Sequence, residues 1–526
     1  MNSIGFKNFR RFQNFPEIDL GDITILVGGN NAGKSTLVKA MLLMRDFLKS
    51  RIEGVDDENN RSLKKFEPQF GFDTEHVNVG DFYRAFCRQS PRKEDTISFT
   101  MKIDKFRFVV NIRGERKSGI IPHVSMITVS DEERDILFDF DFSKGQMKVH
   151  FEYDRKALND ESEESIEIRS KINQLNRELS HSKDLNKISE IKMELAKLER
   201  MASYANDREV EISEYDEITV DMIYFHAGNI GKLVIPELIR SFSVFAETGT
   251  TGDKRSQIYN EKIAKKTFLR GKATVINAIA EELENILNSQ VIEYIYAHSV
   301  AQKPFYADCV ESLSSDYTKR TIHEFYKARI SPEDDEFGMI KDWLKEFKIG
   351  KSLKVTQHEG DNYHVLIFDD ENPEIKSERR KGYPGGINLA DKGMGSIQLV
   401  VMLLRIATFI RMYRGQQLTI LLEEPEQNLH PALQSKLAEL VYQINHDFGV
   451  RFIIETHSEY LIRKSQVIVA GLNKSVNDVE IPFKVYYLPN DSTMPYEMIY
   501  REDGNFSNEF GEGFFDTATK LLYDIL

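Results

Sequence analysis

The chain has 526 residues and a formal net charge of −14, a length that corresponds to roughly three domains and a charge that does not support nucleic acid as a general partner. Its two cysteines are far apart in the sequence, so a disulfide framework is not indicated and a reducing cytosol fits. Residues 1–12 carry no apolar signal segment and the longest apolar stretch, residues 396–410, contains an arginine, so we expect a cytoplasmic protein without a membrane partner.

The first predicted strand and helix flank a phosphate-binding loop. The apolar run Ile23–Val27 predicts a strand, and an amphipathic helix is predicted to begin near Lys34. Between them, "GGNNAGKST" matches G-x-x-x-x-G-K-[ST], in which backbone N–H groups and the lysine bind phosphate and the hydroxyl ligates Mg²⁺. The predicted nucleotide-binding residues here are Asn30, Asn31, Ala32, Gly33, Lys34, Ser35 and Thr36, and Ser35 is also a predicted metal ligand.

Short strands and then a charged stretch follow the P-loop. Five alternating runs between Thr96 and Tyr153 predict an antiparallel meander. Residues 160–202 are rich in charged residues. They contain two sets of apolar residues spaced three and four positions apart, and the helical phase of the second set does not continue that of the first across "SHSKD". This pattern predicts a short antiparallel helical hairpin with arms about 27 Å long. It has no C-x-x-C for zinc, and a plain surface helix pair without a partner is the alternative.

The middle of the chain shows secondary structure but no active-site motif. A strand and a helix are predicted from Ile218 to Phe245, helices over Lys262–Ile295 and much of Tyr317–Phe347, and a strand at "YHVLIF". We find no H-N-H arrangement, zinc cluster or serine triad in it. Basic runs in the chain, such as residues 262–272, are interpreted as solvated faces rather than a DNA groove.

A glycine-rich segment precedes a long apolar helix in "NLADKGMGSIQLVVMLLRI". Asp391, Gly393 and Gly395 open this helix, and small residues at a helix N-terminus make a phosphate-binding end. Because the P-loop already serves the chain's own nucleotide, this end is predicted to bind the γ-phosphate of a nucleotide held by another copy. The alternative is that glycine only permits a tight turn.

Two later strands end in the residues that hydrolysis requires. "LTILL" precedes Glu423 and Glu424, whose side chains alternate in direction. We assign Glu423 to the metal side and Glu424 to the general base that polarises the attacking water. A third strand ends before His457, a candidate γ-phosphate sensor at a strand's carboxyl end. The predicted catalytic residues are Glu424 and His457, and the predicted metal ligands are Ser35 and Glu423.

The order of these motifs resembles the ABC-type ATPase heads of the SMC, RecF and OLD (overcoming lysogenisation defect) group. "EEPE" followed by "LHP" is most similar to OLD-like ATPases, and so are "IGFKNFRRF", "VNVGDFYRAF" and "GEGFFDTATKLLYDIL". The resemblance covers residues 1–150 and 383–526. Relatives often have serine before the signature glutamine, whereas Ile397 precedes Gln398 here, which leaves the contact in trans open. Either Gln69 or Gln89 could be the Q-loop glutamine.

The resemblance implies an α/β, ABC-type P-loop ATPase head that is split by a long insertion. Its expected parts are an N-terminal lobe (1–153), a coiled-coil hairpin (154–210), a mixed, mainly helical insertion (211–382) and a C-terminal lobe with a short extension (383–526). It also implies ATP and Mg²⁺ as ligands, a signature loop acting in trans, and therefore a homodimer or a higher even oligomer.

The OLD family proper adds a TOPRIM nuclease, and the strand-Glu and D-x-D strand that it needs do not follow His457. The chain is similar in this respect to standalone ATPases of anti-phage systems such as Septu, some retrons and PARIS-type systems, in which the ATPase holds a separate toxic nuclease. We expect an ATP-driven switch that controls a separate effector, a nuclease. The alternative is a DNA-repair or DNA-end clamp of the RecF and SMC kind. A transporter subunit is disfavoured by the long insertions.

Overall fold

A computed structural model describes most of the chain. The described residues are 1–52, 69–91, 93, 95–115, 122–152, 171–172, 174–177, 179, 191–192, 194–195, 215–221, 231–248, 260–296, 306–307, 317–358, 362–371, 386–475, 480–490, 494–511 and 514–515. The chain divides into two compact units. The first comprises residues 1–46, 72–94 and 288–526, and the second comprises residues 47–71 and 95–287.

The described chain contains both strands and helices, in the following order. The first part contains β1 (Ser3–Phe9), β2 (Phe12–Asp19), β3 (Ile23–Gly28), α1 (Lys34–Leu48), α2 (Phe82–Ala85), β4 (Thr96–Ile103), β5 (Phe106–Arg113), β6 (His123–Asp131), β7 (Ile136–Asp141), β8 (Gln146–Glu152), β9 (Tyr215–Asp221), α3 (Val234–Thr248) and α4 (Asn260–Ser289). The second part contains β10 (Gln290–Ile295), β11 (Tyr306–Ala307), α5 (Tyr317–Lys327), α6 (Asp335–Glu346), β12 (Ser352–His358), β13 (Asn362–Phe368), β14 (Ile387–Asn388), α7 (Met394–Met412), β15 (Gln417–Glu423), α8 (Pro431–Phe448), β16 (Arg451–Thr456), α9 (Glu459–Ser475), β17 (Phe483–Leu488) and β18 (Tyr496–Met498).

The first unit is built on a six-stranded sheet in the order β10-β15-β16-β3-β17-β18. The strands pair in parallel except β18, which is antiparallel to β17. β3 is buried along its whole length, as strands inside a parallel sheet are. Because the carboxyl ends of parallel strands share one edge, the residues that follow β3, β15, β16 and β17 meet there. The mixed α/β class predicted from the sequence is therefore present.

One predicted helix is corrected by the structure. The helix predicted over Lys262–Ile295 ends at Ser289, and Gln290–Ile295 forms β10, the edge strand beside β15. The segment "QVIEYI" is rich in β-branched and aromatic residues, which suit a pleated and half-buried surface. Pairing with a distant strand decided its conformation. The region predicted as an insertion thus contributes a strand to the central sheet.

Helix α7 passes through the core of the first unit. Its side chains from Ile397 to Ile410 are buried, and they pack among the apolar residues of the sheet and of α5 and α6. Within the described residues, α7 is also the helix that is long and apolar enough to cross a bilayer, with a mean hydropathy of 1.5. However, 72% of its apolar segment is buried inside the protein. A core helix meets the same criteria.

The second unit contains the predicted antiparallel meander. Strands β4 to β8 pair in chain order, and β9 adds a sixth strand beside β8. The side chains of β4 and β5 alternate between buried and partly exposed, which agrees with the period of two in the sequence. Phe242 of α3 packs on Phe138 and Phe140, with ring centroids 5.8 and 5.9 Å away. The five predicted strands are confirmed.

The predicted helical hairpin lies mostly outside the described residues. Within it the structure describes scattered helical residues, at 171–172, 174–177, 179, 191–192 and 194–195. The predicted turn at residues 180–184 is not among the described residues, and neither is the C-terminal segment 516–526. The hairpin and the C-terminal extension therefore stay predictions.

Candidate nucleotide-binding site

The P-loop forms the turn between β3 and α1. Gly33 adopts a φ of +105°, a conformation that residues with a Cβ rarely adopt. Gly28 lies against the end of β17, where a Cβ would be 2.4 Å from the carbonyl oxygen of Leu488. A Cβ on Gly29 would lie 2.4 Å from the side-chain amide of Asn490. Residues at and after the end of β17 therefore form one wall of the loop.

The other predicted loop residues lie between these glycines and α1. Asn30 and Asn31 are exposed at the tip of the loop, whereas Ala32 and Thr36 are buried. Asn31 has a φ of +63°, which asparagine tolerates better than most residues. The exposed tip leaves this part of the backbone accessible to a phosphate group, as a P-loop requires.

Lys34 links the P-loop to the strand that ends in His457. Its ammonium donates to the carbonyl oxygens of Gly28 at 2.9 Å and Gly29 at 3.1 Å, and it lies 3.0 Å from Nε2 of His457. An ammonium is only a donor, so Nε2 accepts and the imidazole is neutral. Burial lowers the pKa of Lys34, and burial followed by the Lys34 charge lowers the pKa of His457. The cation is thus held at the centre of the loop.

Ser35 contacts a carboxylate that the sequence analysis did not assign. Its hydroxyl donates to Oε1 of Glu455 at 2.7 Å. Glu455 lies opposite Glu423 in the register of β15 and β16, and burial raises the pKa of Glu455 to about 7. A signal was present in the sequence, because Glu455 ends a strand just as Glu423 does. The carboxyl end of β16 therefore adds an acid to the site.

Glu423 and Glu424 make different contacts, because β15 ends at Glu423 and Glu424 lies in the turn that follows rather than in the strand as predicted. The hydroxyl of Tyr294 in β10 donates to Glu423. Burial and then the charge of Glu423 raise the pKa of Tyr294, which keeps the phenol a donor. Glu424 has a φ of +41°, its N–H donates to the carbonyl oxygen of Glu455 at 2.8 Å, and its Oε1 lies 3.6 Å from Nε2 of His457. Strained backbone of this kind concentrates at functional sites.

The backbone of His457 is fixed by a second buried glutamate. Oε1 of Glu426 accepts from the His457 N–H at 2.7 Å, and burial raises the pKa of Glu426. The next residue, Ser458, caps α9: its Oγ accepts from the N–H of Leu461 at 3.2 Å and donates to Gln434 at 2.7 Å. Because its turn is anchored on both sides, His457 has a defined position beside Lys34.

The predicted signature residues begin α7 and pack on the loop that follows Glu424. Gly393 is the residue before the first turn of α7, and a Cβ on Gly395 would lie 2.6 Å from the carbonyl oxygen of Asn428. Asp391 and Gly393 are exposed. The structure thus brings the signature segment next to the loop that carries Glu424 and leaves its polar end accessible.

The glutamine that follows the signature segment is buried and bonded to the same loop. Oε1 of Gln398 accepts from Asn428 at 3.2 Å, and its amide donates to the carbonyl oxygen of Pro425 at 3.4 Å. Of the two Q-loop candidates, Gln69 pairs with His123 in the second unit and Gln89 is exposed in a turn. These contacts give neither candidate a role in the site.

The residues of this edge fit a nucleotide with its Mg²⁺. Oε2 of Glu455 is buried and has no hydrogen-bond partner, so the site contains an acceptor without a donor. Among the described residues no group of three or more His, Cys, Asp or Glu is arranged to hold a metal alone. Mg²⁺ bound by one or two carboxylates needs phosphate oxygens and water to complete its shell. Ser35, Glu423 and Glu455 offer such an incomplete set.

A P-loop at the end of a central parallel strand, beside acidic and histidine-bearing strand ends, defines the class of P-loop nucleotide-binding proteins. Within this class, the family can be stated: residues 1–462 match the AAA ATPase domain family, and the chain belongs to that family. No curated protein matches the chain.

Two solved structures of SMC heads align with the chain. One is the Smc head domain with an extended coiled coil bound to the C-terminal domain of ScpA, derived from Pyrococcus furiosus, at 11% identity and a TM-score of 0.32, covering 100% of this chain and 98% of that chain. The other is the SmcHead bound to the C-winged helix domain of ScpA, at 11% identity and a TM-score of 0.33, covering 94% and 96%. Likeness at this level implies nothing about the partners of this chain.

Proposed function

We propose that the chain is an ATP-driven switch of the OLD-like kind, which binds ATP–Mg²⁺ at the P-loop and hydrolyses it with Glu424 as general base. One observation carries the proposal: His457 Nε2 lies 3.0 Å from Lys34 Nζ and 3.6 Å from Glu424 Oε1. A phosphate-binding cation, a carboxylate and a neutral histidine therefore meet at one edge of the sheet. Hydrolysis by this class of site depends on such positioning and electrostatics.

Each residue has a role that its contacts support. Lys34 would neutralise the β- and γ-phosphates, and backbone N–H groups of the loop would bind the remaining oxygens. Ser35 and Glu423 would hold Mg²⁺, which when bound would neutralise charge on the phosphate oxygens. Glu424 orients the attacking water and accepts its proton, and His457 contacts the γ-phosphate. Glu426 keeps the backbone of His457 in place.

The signature segment is proposed to act on the nucleotide of a second copy. Asp391 and Gly393 are exposed at the start of α7, and Gly395 packs on the loop after Glu424. An exposed helix start next to the catalytic loop can receive a γ-phosphate from outside the chain. ATP would then hold two heads together, and hydrolysis would release them. We therefore propose a homodimer or a higher even oligomer.

We propose that this switch controls a separate effector protein, a nuclease, in anti-phage defence. The support for this role is the resemblance of the motif order to that of standalone ATPases of anti-phage systems. In this proposal, the conformational change driven by ATP serves another protein. A DNA-end clamp uses the same switch, and the experiment below separates the two functions.

The test uses the full-length Glu424→Gln chain expressed together with its native neighbouring genes. Its mass is measured by light scattering with and without ATP–Mg²⁺, and mass spectrometry identifies what elutes with it. We expect an ATP-dependent dimer or higher even oligomer that carries a stoichiometric nuclease-like protein. An assembly without such a protein that retains DNA would establish the clamp instead. A chain that binds ATP yet stays monomeric would contradict the role of the signature segment.

A further inference from the structure

Glu455 is the acidic residue of the site to which the proposed mechanism gives no role. It is the fifth residue of β16 (Arg451–Thr456) and lies opposite Glu423 of β15. Its side chain is 3% exposed. Oε1 accepts from the hydroxyl of Ser35 at 2.7 Å, and Oε2 is buried without a partner. Two carboxylates thus lie at the same level of neighbouring strands, and that of Glu455 accepts from the Ser35 hydroxyl.

Lys34, the lysine beside this carboxylate, donates no hydrogen bond to it. The Lys34 ammonium has three N–H donors, and its three contacts are the carbonyl oxygens of Gly28 and Gly29 and Nε2 of His457. A buried carboxylate with an unpaired oxygen is unfavourable unless a cation or a donor reaches it. The preceding residues Ile453 and Ile454 show that an apolar side chain suits this strand. The carboxylate is therefore explained better by a ligand than by packing.

We propose that Glu455 is a positioning residue for Mg²⁺: it holds the Ser35 hydroxyl before nucleotide binds and accepts from the metal shell, alongside Glu423, when ATP–Mg²⁺ is bound. This inference rests on the function proposed above. Mg²⁺ keeps several of its waters in nucleotide sites, and those waters need acceptors. The unpaired Oε2 would supply one, while Oε1 accepts from Ser35, the other residue that would hold the metal.

The test separates the effect of Mg²⁺ from the effect of nucleotide. Binding of ATPγS is measured by calorimetry, in Mg²⁺ and in EDTA, for the full chain and for Glu455→Gln. Glutamine keeps the size of the side chain and an oxygen for Ser35, but it removes the charge. In EDTA we expect binding at least as tight as wild type, because one fewer carboxylate repels the phosphates. The gain in affinity on adding Mg²⁺ should fall about 10-fold or more, the usual cost of losing an outer-shell ligand.

Further variants keep the result interpretable. Glu459→Gln makes the same chemical change at a partly exposed position in the first turn of α9 and should leave the Mg²⁺ gain unchanged. Ser35→Ala should lose part of the gain, and combining it with Glu455→Gln should cost less than the sum, since the two residues are bonded. If Glu455→Gln fails to fold, Glu455→Asp keeps the charge on a shorter arm, and a reduced Mg²⁺ gain is again expected.

Each outcome distinguishes this inference from the proposed function. If wild type binds ATPγS with a Mg²⁺ gain and a folded Glu455→Gln keeps that gain, the role of Glu455 is wrong while the ATP site stands. If the only folded variant is Glu455→Asp and it keeps the full gain, the role is wrong as well. If wild type itself does not bind ATPγS, the proposed function fails first.

Discussion

The Lys34 ammonium and the His457 imidazole lie 3.0 Å apart, although 423 positions separate them in the sequence. The contact joins the first residue of α1, the helix that follows β3, to the residue that follows β16. β3 and β16 are neighbouring parallel strands of one sheet. The histidine thus accepts one of the three hydrogen bonds of the lysine that the P-loop motif assigns to phosphate. In the proposed site, a γ-phosphate bound by Lys34 would therefore lie near His457 as well.

Removal of the Lys34 ammonium should abolish most nucleotide binding. Charge-assisted hydrogen bonds contribute about 1.5–3 kcal/mol each, so Lys34→Ala should weaken ATP binding by at least roughly 10-fold to 100-fold. Calorimetry with ATPγS measures this loss. Lys436→Ala, a lysine on α8 that pairs with Glu346, is the control and should bind normally. Near-normal affinity in Lys34→Ala would remove the basis of the P-loop assignment.

Glu424→Gln should bind ATP but hydrolyse it at least about 10²-fold more slowly, since general bases contribute 10²–10⁴-fold. Phosphate release measures the rate, and light scattering should show a persistent ATP-bound dimer. Glu423→Gln should instead lose Mg²⁺-dependent binding. If Glu423→Gln gave the trapped dimer while Glu424→Gln turned over normally, the roles of the two glutamates are exchanged.

The two signature glycines should respond differently to alanine. A Cβ on Gly395 would lie 2.6 Å from the Asn428 carbonyl, so Gly395→Ala should destabilise the fold by about 1–3 kcal/mol. A Cβ on Gly393 meets nothing within 4 Å, so Gly393→Ala should stay within about 0.5 kcal/mol of wild type. Denaturant unfolding measures both. If Gly393→Ala also left ATP-dependent dimerisation intact, a close approach of the partner's phosphate to the Cα of Gly393 would be ruled out.

Tyr294 should influence Mg²⁺ through Glu423. Tyr294→Phe removes the hydroxyl that donates to Glu423, and losing such an outer contact costs about 10–100-fold in metal affinity. The Mg²⁺ concentration for half-maximal ATPase activity should therefore rise. Tyr296→Phe is a matched control, because its hydroxyl contacts His76 rather than Glu423. An equal rise in both variants would point to a general packing effect.

The stability of the protein should fall as the pH drops below the ordinary pKa of histidine, in part because of His76. Burial and then Arg45 lower the pKa of His76 from 6.5, against opposing contributions from Glu75, Glu293 and Asp46. The folded state therefore binds fewer protons than the unfolded state near that pH. The contribution of His76 to the free energy of unfolding is fully present above pH 6.5 and is lost as the pH falls through the pKa of His76 in the folded state.

Differential scanning calorimetry between about pH 7 and about pH 5 measures this loss. His76→Gln cannot titrate in this range, so the fall in Tm with pH should be shallower than in wild type. The ring of His76 also bonds the hydroxyl of Tyr296 at 2.5 Å, so the comparison uses the slope with pH rather than the Tm itself. An unchanged slope would show that His76 is not a source of the acid sensitivity.

The motifs allowed much of the site to be located from the sequence, for a physical reason. The P-loop, Glu423, Glu424 and His457 each follow a buried apolar strand, and parallel strands end at one edge. β10 was not predicted from the sequence, because a short apolar run such as "QVIEYI" is compatible with either a helix or a strand when its pairing partner is unknown. Tyr294 was missed with it, since its contact with Glu423 exists only when β10 pairs with β15. Glu455 was visible in the sequence, but only its bond to Ser35 marks it as part of the site.

The wall that Leu488 and Asn490 give to the P-loop has a practical meaning for shortened versions of the chain. The site residues assigned from the sequence end at His457, so a truncation just before β17 would remove none of them. It would nonetheless remove the neighbour strand of β3 and open the loop at Gly28 and Gly29 to solvent. A minimal fragment that keeps the P-loop intact must therefore extend through at least residue 490.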